Sequence, residues 1–245
     1  MVPSPKIQQG FADVVRAILG YGAYNTNSSI PIHCAGGHIF TTEEDPLHGN
    51  HCCKNGPEWT KRHTNIERLL FPLIKACRPE AIVTMETKVG QRIVNKRLAN
   101  GQIEPVITDV YCDILVKDGP DTYILDILVV DPSAPFYNIT TNNRPRAFET
   151  VNAAAITGEI KKRRHYNRVS LPAPIPPDSV IPFVIEATGR LGPSALAYLF
   201  KICSTQTFRR SQFIKSVSLI CARYTGQFIK TSRDPIHANP QNGVL

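Results

Sequence analysis

The chain has 245 residues, 42% of them hydrophobic, enough for one large or two small domains with a buried core. A formal net charge of +8 and an isoelectric point near 9.2 favour a polyanionic partner, nucleic acid before membrane. Twenty prolines without a repeat exclude a fibrous protein, and no apolar run approaches membrane-spanning length.

No signal peptide is read at the start, so the chain is expected to be intracellular. Its seven cysteines then point to thiols or metal ligands rather than disulfides, and the Asn138-Ile139-Thr140 sequon carries no meaning. Residues 7–19 give a short helix with Phe11, Val14, Val15 and Ile18 as its stripe. Residues 33–53 then gather His33, Cys34, His38, His48, His51, Cys52 and Cys53 among Gly36, Gly37 and Gly49. Such clustering suggests a structural zinc knuckle, with Cys34, His38, His51 and Cys53 as chosen ligands and Cys52 a close competitor. The alternative is a solvated His-rich loop.

A helix over 58–78 follows, with Ile66, Leu69, Leu70, Leu73 and Ile74 as its stripe and Pro72 as a kink or boundary. Arg62, His63 and Glu67 fall on its other side. Glu67 is a candidate carboxylate for a metal, although a solvent-facing glutamate is the simpler expectation. Residues 81–87 read as a strand, and 88–104 as a basic, polar stretch with a turn at Asn100-Gly101. Two strands follow, Val110–Val116 and Tyr123–Val130, joined by turn residues 117–121. Each carries one acid in its middle, Asp113 and Asp126. A carboxylate in an apolar strand is costly to bury unless it is paired or binds a metal, so two on neighbouring strands suggest a divalent cation. The plain alternative is a solvent-facing acid on a half-exposed strand.

Asp131 to Pro135 stops the sheet, and a polar loop to Phe148 carries Arg144 and Arg146. The helix expected over 147–168 ends in the basic run Lys161-Lys162-Arg163-Arg164, with Lys162 and Tyr166 four residues apart on one face. A lysine near two metal-binding acids suits phosphodiester hydrolysis, where it steadies the attacking water or the charge of the transition state. Residues 171–177 are proline-rich and extended, 180–187 a strand, and 188–193 a turn that either presents amides to an anion or merely connects. Helices over 194–203 and 213–228 follow, and the tail from Thr231 is expected to be disordered.

The succession Cys34…His51-x-Cys53, Arg62-His63, Cys112-Asp113-Ile114, Leu125-Asp126-Ile127, Glu159-x2-Lys162-x3-Tyr166 and Thr188-Gly189-Arg190-Leu191-Gly192-Pro193 resembles the C-terminal region of non-LTR retrotransposon reverse-transcriptase proteins. In that family a zinc knuckle precedes a restriction-endonuclease-like domain of the PD-(D/E)XK type. The resemblance implies an α/β fold, a restriction-endonuclease-like core of mixed central sheet flanked by helices. It divides the chain into a knuckle segment (1–57), a nuclease domain (58–230) and a tail (231–245). It further implies catalytic Asp113, Asp126, Lys162 and Tyr166, with Mg²⁺ or Mn²⁺ on the two aspartates, and Glu67, the candidate carboxylate read from the helix over 58–78, is counted with them. Lys161, Arg163, Arg164, Arg62 and His63 would meet nucleic acid. The implied partners are DNA, the element's RNA and an upstream reverse-transcriptase domain, in the nucleus. Cys112 stands where the family usually has Pro or Ala, Thr64 where it has asparagine, and the His51-to-Cys53 gap is shorter than the family's. The competing readings are a non-catalytic nucleic-acid-binding module, and a docking segment for a polymerase.

Overall fold

Two apolar cores form on opposite faces of one sheet. The computed structural model describes residues 32–33, 39–40, 56–98, 101–132, 150–170 and 176–233. The helix expected over 7–19, the four chosen zinc ligands, the loop with Arg144 and Arg146, and the tail after residue 233 lie outside them. A short hairpin pairs β1 (Ile32–His33) with β2 (Ile39–Phe40), bracketing Cys34 and His38 in sequence.

After α1 (Gly56–Cys77), strands β3 (Ile82–Arg97), β4 (Ile103–Asp118) and β5 (Asp121–Val130) run antiparallel in turn. Helix α2 (Ala153–Tyr166) then carries the chain to β6 (Val180–Glu186), which joins β5 in parallel. Helices α3 (Pro193–Ile202) and α4 (Thr207–Arg233) complete the order. The result is α/β, a four-stranded mixed sheet in the order β3-β4-β5-β6 flanked by helices.

Alternation explains the layers. Tyr123, Leu125 and Ile127 of β5 join Ile66, Leu70 and Ile74 of α1, Phe183 and Ile185 of β6, and Leu199, Phe213 and Val217 from α3 and α4. Leu128 and Val130 face the other way, against Ala154 and Ala155 of α2. Gly158 lets α2 lie close on the sheet, since a Cβ there would meet Val184, Leu128 and Val130 at 3.1–3.2 Å. The β4–β5 hairpin closes through Gly119-Pro120, with Gly119 at φ +59° as a two-residue primed turn requires. Pro105 and Pro182 sit in strands that leave one side unpaired at those positions, so their missing N–H groups break no ladder.

Several expectations are corrected. Pro72 lies inside α1, exposed, and does not end it. The strand expected over 81–87 runs on to Arg97, and from the polar stretch 88–104 residues 88–97 and 103–104 form part of a long two-stranded ribbon. The backbone groups of residues 88–97 that face β4 pair with it whatever the polarity of the side chains. Helix α2 begins at Ala153 rather than 147, and Pro177 opens a short 3-10 turn to Ser179 rather than ending an extended run. Helix α4 spans Thr207–Arg233, which takes Thr231 into the helix.

Candidate active site at the splayed strand end

Pairing between β4 and β5 stops at Ile114↔Leu125. Beyond it the inward residues of β4 change core: Ile114 and Val116 belong to the α1 side, while Val110 and Cys112 pack with Ile124, Val180 and Tyr166. Asp113 stands at this change. Its Oδ2 accepts the N–H of Ile127 at 2.5 Å, so a side chain takes the place of the departed strand. Opposite Asp113, the pairing with β3 passes from Met85↔Ile114 to Thr87↔Cys112, skipping Glu86. Glu86 has φ +45°, a left-handed conformation costing a non-glycine residue ~1–3 kcal/mol, of a kind that clusters at functional sites.

The other groups converge on this gap. From α1, His63 Nε2 donates to Asp113 Oδ2 at 3.1 Å. From α2, Lys162 Nζ donates to Asp126 Oδ1 at 2.6 Å. Asp126 is only 8% exposed. The Tyr166 hydroxyl is buried close to Asp126, short of good hydrogen-bond geometry. Glu67 is 2% exposed, which overturns the solvent-facing expectation, and its Oε1 finds no hydrogen-bond partner among the described residues.

Their environments drive the acids apart. Burial pushes Asp113 up, but the hydrogen bond and charge of His63, the Ile127 N–H and Lys162 outweigh it and hold Asp113 below the usual carboxylate range. Asp126 is raised, by burial first and by the charge of Asp113, despite Lys162. Glu67 is raised by burial and then by Asp113. His63 is raised by its bond to Asp113, and burial pushes the Tyr166 hydroxyl strongly upward. Carboxyl groups with opposed protonation tendencies, packed beside a lysine, are an arrangement that acid–base sites use. No three His, Cys, Asp or Glu side chains among the described residues already stand as a metal-holding group.

The structure thus brings Asp113, Asp126, Lys162, Tyr166, Glu67 and His63 to one place. It does not leave all the expected nucleic-acid contacts free. Arg62 is 5% exposed, sunk between α1 and α4 near Asp131, Tyr224 and Cys221, so it is withdrawn from a phosphate surface. Arg163 turns inward, donating to the Val180 carbonyl and Ser194 Oγ, both at 3.1 Å. Lys161 and Arg164 are exposed. The anion at the start of α3 is the chain's own: Glu159 accepts the Ser194 N–H at 2.8 Å and its hydroxyl at 2.6 Å. A Cβ on Gly192 would stand 2.7 Å from that carboxylate, so the glycine serves this contact. Glu86 went unread in the sequence, for a positive φ leaves no compositional mark.

No protein-family model matches the chain, and no curated protein matches it significantly. No helix among the described residues is long and apolar enough to cross a membrane.

Proposed function

We propose that this chain is a metal-dependent DNA endonuclease of the restriction-endonuclease-like type, the nuclease region of a retrotransposon-derived protein. The observation that carries the reading is the convergence of half-buried Asp113 and buried Asp126, on adjacent strands that part at this point, with Lys162 on Asp126. The donors suit Mg²⁺ or Mn²⁺: all are carboxylate oxygens, and the unpartnered Oε1 of buried Glu67 is available as a further one. Asp113 and Asp126 would hold the cation, with Glu67 beside them. When bound, it polarises the scissile phosphate and lowers the pKa of attacking water.

The remaining roles belong to the protein. Lys162, which stands on Asp126, would orient the attacking water or meet charge on the phosphate. Tyr166 fixes the lysine or a phosphate oxygen, its phenol held protonated by burial. His63 keeps Asp113 ionised and in place. Lys161 and Arg164 supply sequence-independent backbone contacts. In a retroelement such a cut provides the primer end for reverse transcription at nuclear target DNA.

The test is nicking of supercoiled plasmid with Mg²⁺ or Mn²⁺. Wild type is expected to nick, and Asp126→Ala and Lys162→Ala to lose nicking by 10²-fold or more while still binding DNA. A folded, DNA-binding wild type that never nicks would leave the non-catalytic binding module as the function, its acids tied up in ion pairs.

A further inference from the structure

We infer that the far half of the β3–β4 ribbon is an arm that seats in a groove of double-stranded DNA, a claim resting on the nuclease reading above. From Arg92↔Thr108 to Arg97↔Ile103 the two strands pair only with each other, an arm of roughly 20 Å at 3.3 Å per residue. Three side chains on it are widely exposed: Ile93 (71%), Ile107 (66%) and Ile103 (68%). Ile93 pairs with Ile107, and Ile103 with Arg97, so they share one face. An apolar face on a free ribbon needs an occupant.

Charge and position name that occupant. Between residues 90 and 108 the sequence holds Arg92, Lys96 and Arg97 against one acid, Glu104. The ribbon's root is fastened to the basic end of α2: Gln91 and Ser170 exchange backbone hydrogen bonds, and Arg92 Nη1 donates to His165 Nδ1 at 3.1 Å. Exposed Lys161, Arg164 and Arg168 lie on that end, and the sequence has no acid from residue 160 to 177. Val89, Val110 and Cys112 at the root pack on Tyr166, so the arm emerges beside the candidate catalytic groups. A two-stranded ribbon fits the major groove, where basic side chains reach phosphates and apolar ones meet sugars and thymine methyls. A protein partner matched only to the isoleucines would leave this net positive charge unanswered.

The experiment is fluorescence anisotropy of the full chain with a 25-base-pair duplex in EDTA, so that no cleavage intervenes. Lys96→Glu/Arg97→Glu is expected to lose at least tenfold in affinity near 0.1 M salt and to flatten the slope of log K against log salt by about two. Ile93→Ser/Ile107→Ser should weaken binding several-fold with the slope unchanged. All four positions are exposed, and circular-dichroism melts confirm folding. Duplex affinity and slope unchanged in both variants would overturn the arm while plasmid nicking by wild type still upheld the nuclease. Wild type that binds no duplex would overturn both. A wild-type dimer on gel filtration, made monomeric by Ile93→Ser/Ile107→Ser, would show that a second copy occupies the face and would also overturn the arm.

Discussion

Replacing Lys162 with methionine isolates the pair at the centre of the site. Asp126 then keeps its buried position, its side chain 11% exposed, and loses its cation. Breaking a fully buried ion pair costs ~3–5 kcal/mol. Here the lysine side chain is 24% exposed and the acid is free to take up a proton, so we expect about 2 kcal/mol at pH 7. That lowers the melting temperature by about 4–8 °C for a domain of this size. The pH dependence is the sharper signature. The folded pKa of Asp126 is raised, so the stability linked to its carboxyl is intact below the unfolded value of ~3.9 and lost as pH rises through the folded one. Lys162 offsets that loss, and its removal pushes the folded pKa higher still. The methionine variant should therefore be weakest at neutral pH and within ~1 kcal/mol of wild type near pH 4. Urea denaturation across pH 4–8 measures this directly. Adding Asp126→Asn removes the charge and should recover at least half of the loss at pH 7. A deficit constant across the pH range, or no recovery in the double variant, would refute the account of Asp126 as a buried charge held by Lys162.

Two further substitutions probe the surrounding shell. His63 has a raised folded pKa, so its stabilising bond to Asp113 is fully present below ~6.5 and lost as pH rises through the folded value. At the acid end the depressed Asp113 carries stability present above ~3.9 and lost as pH falls through its folded value. His63→Gln should therefore cost about 1 kcal/mol between pH 5 and 6 and little at pH 9, by denaturation alongside a proton NMR titration of the histidine. Glu159→Ala strips the acceptor from the start of α3 and should cost about 2 kcal/mol in thermal melts. Glu159→Gln keeps an acceptor and should lose less than half as much, and equal losses would contradict the role given to those bonds.

The elements with strong periodicity were legible from the sequence: α1 by its 3.6-residue stripe, β5 and β6 by apolar runs, α3 by Pro193 at its first turn. The ribbon was not. Both faces of its far half meet water, so nothing imposed alternation on residues 91–97. Asp113, Asp126 and Lys162 were legible because acids within apolar strands and a lysine in a basic helix are conspicuous by type. Arg62 and Glu67 were misread for a related reason. Arg62 stands four residues before Ile66, so helical phase puts it on the stripe's own face, where α4 covers it; Glu67 lies off the stripe and the site covers it, and neither covering lies near in sequence. Glu159 was seen as part of a motif, but its acceptance of the α3 amide depends on a fold-back that spacing does not encode.

The parallel pairing of β5 with β6 has a kinetic consequence. Residues 131–179, α2 among them, must be spanned before Ile124 can meet Val180, and such non-local pairings form slowly. Asp126 lies on β5 and Lys162 on the helix of that crossover, which rests on both strands. A chain without β6 has the acids and the lysine but only part of the surface on which α2 rests. The candidate site is therefore completed only once β6 has joined, and on the proposed reading a half-folded chain would not yet cut DNA.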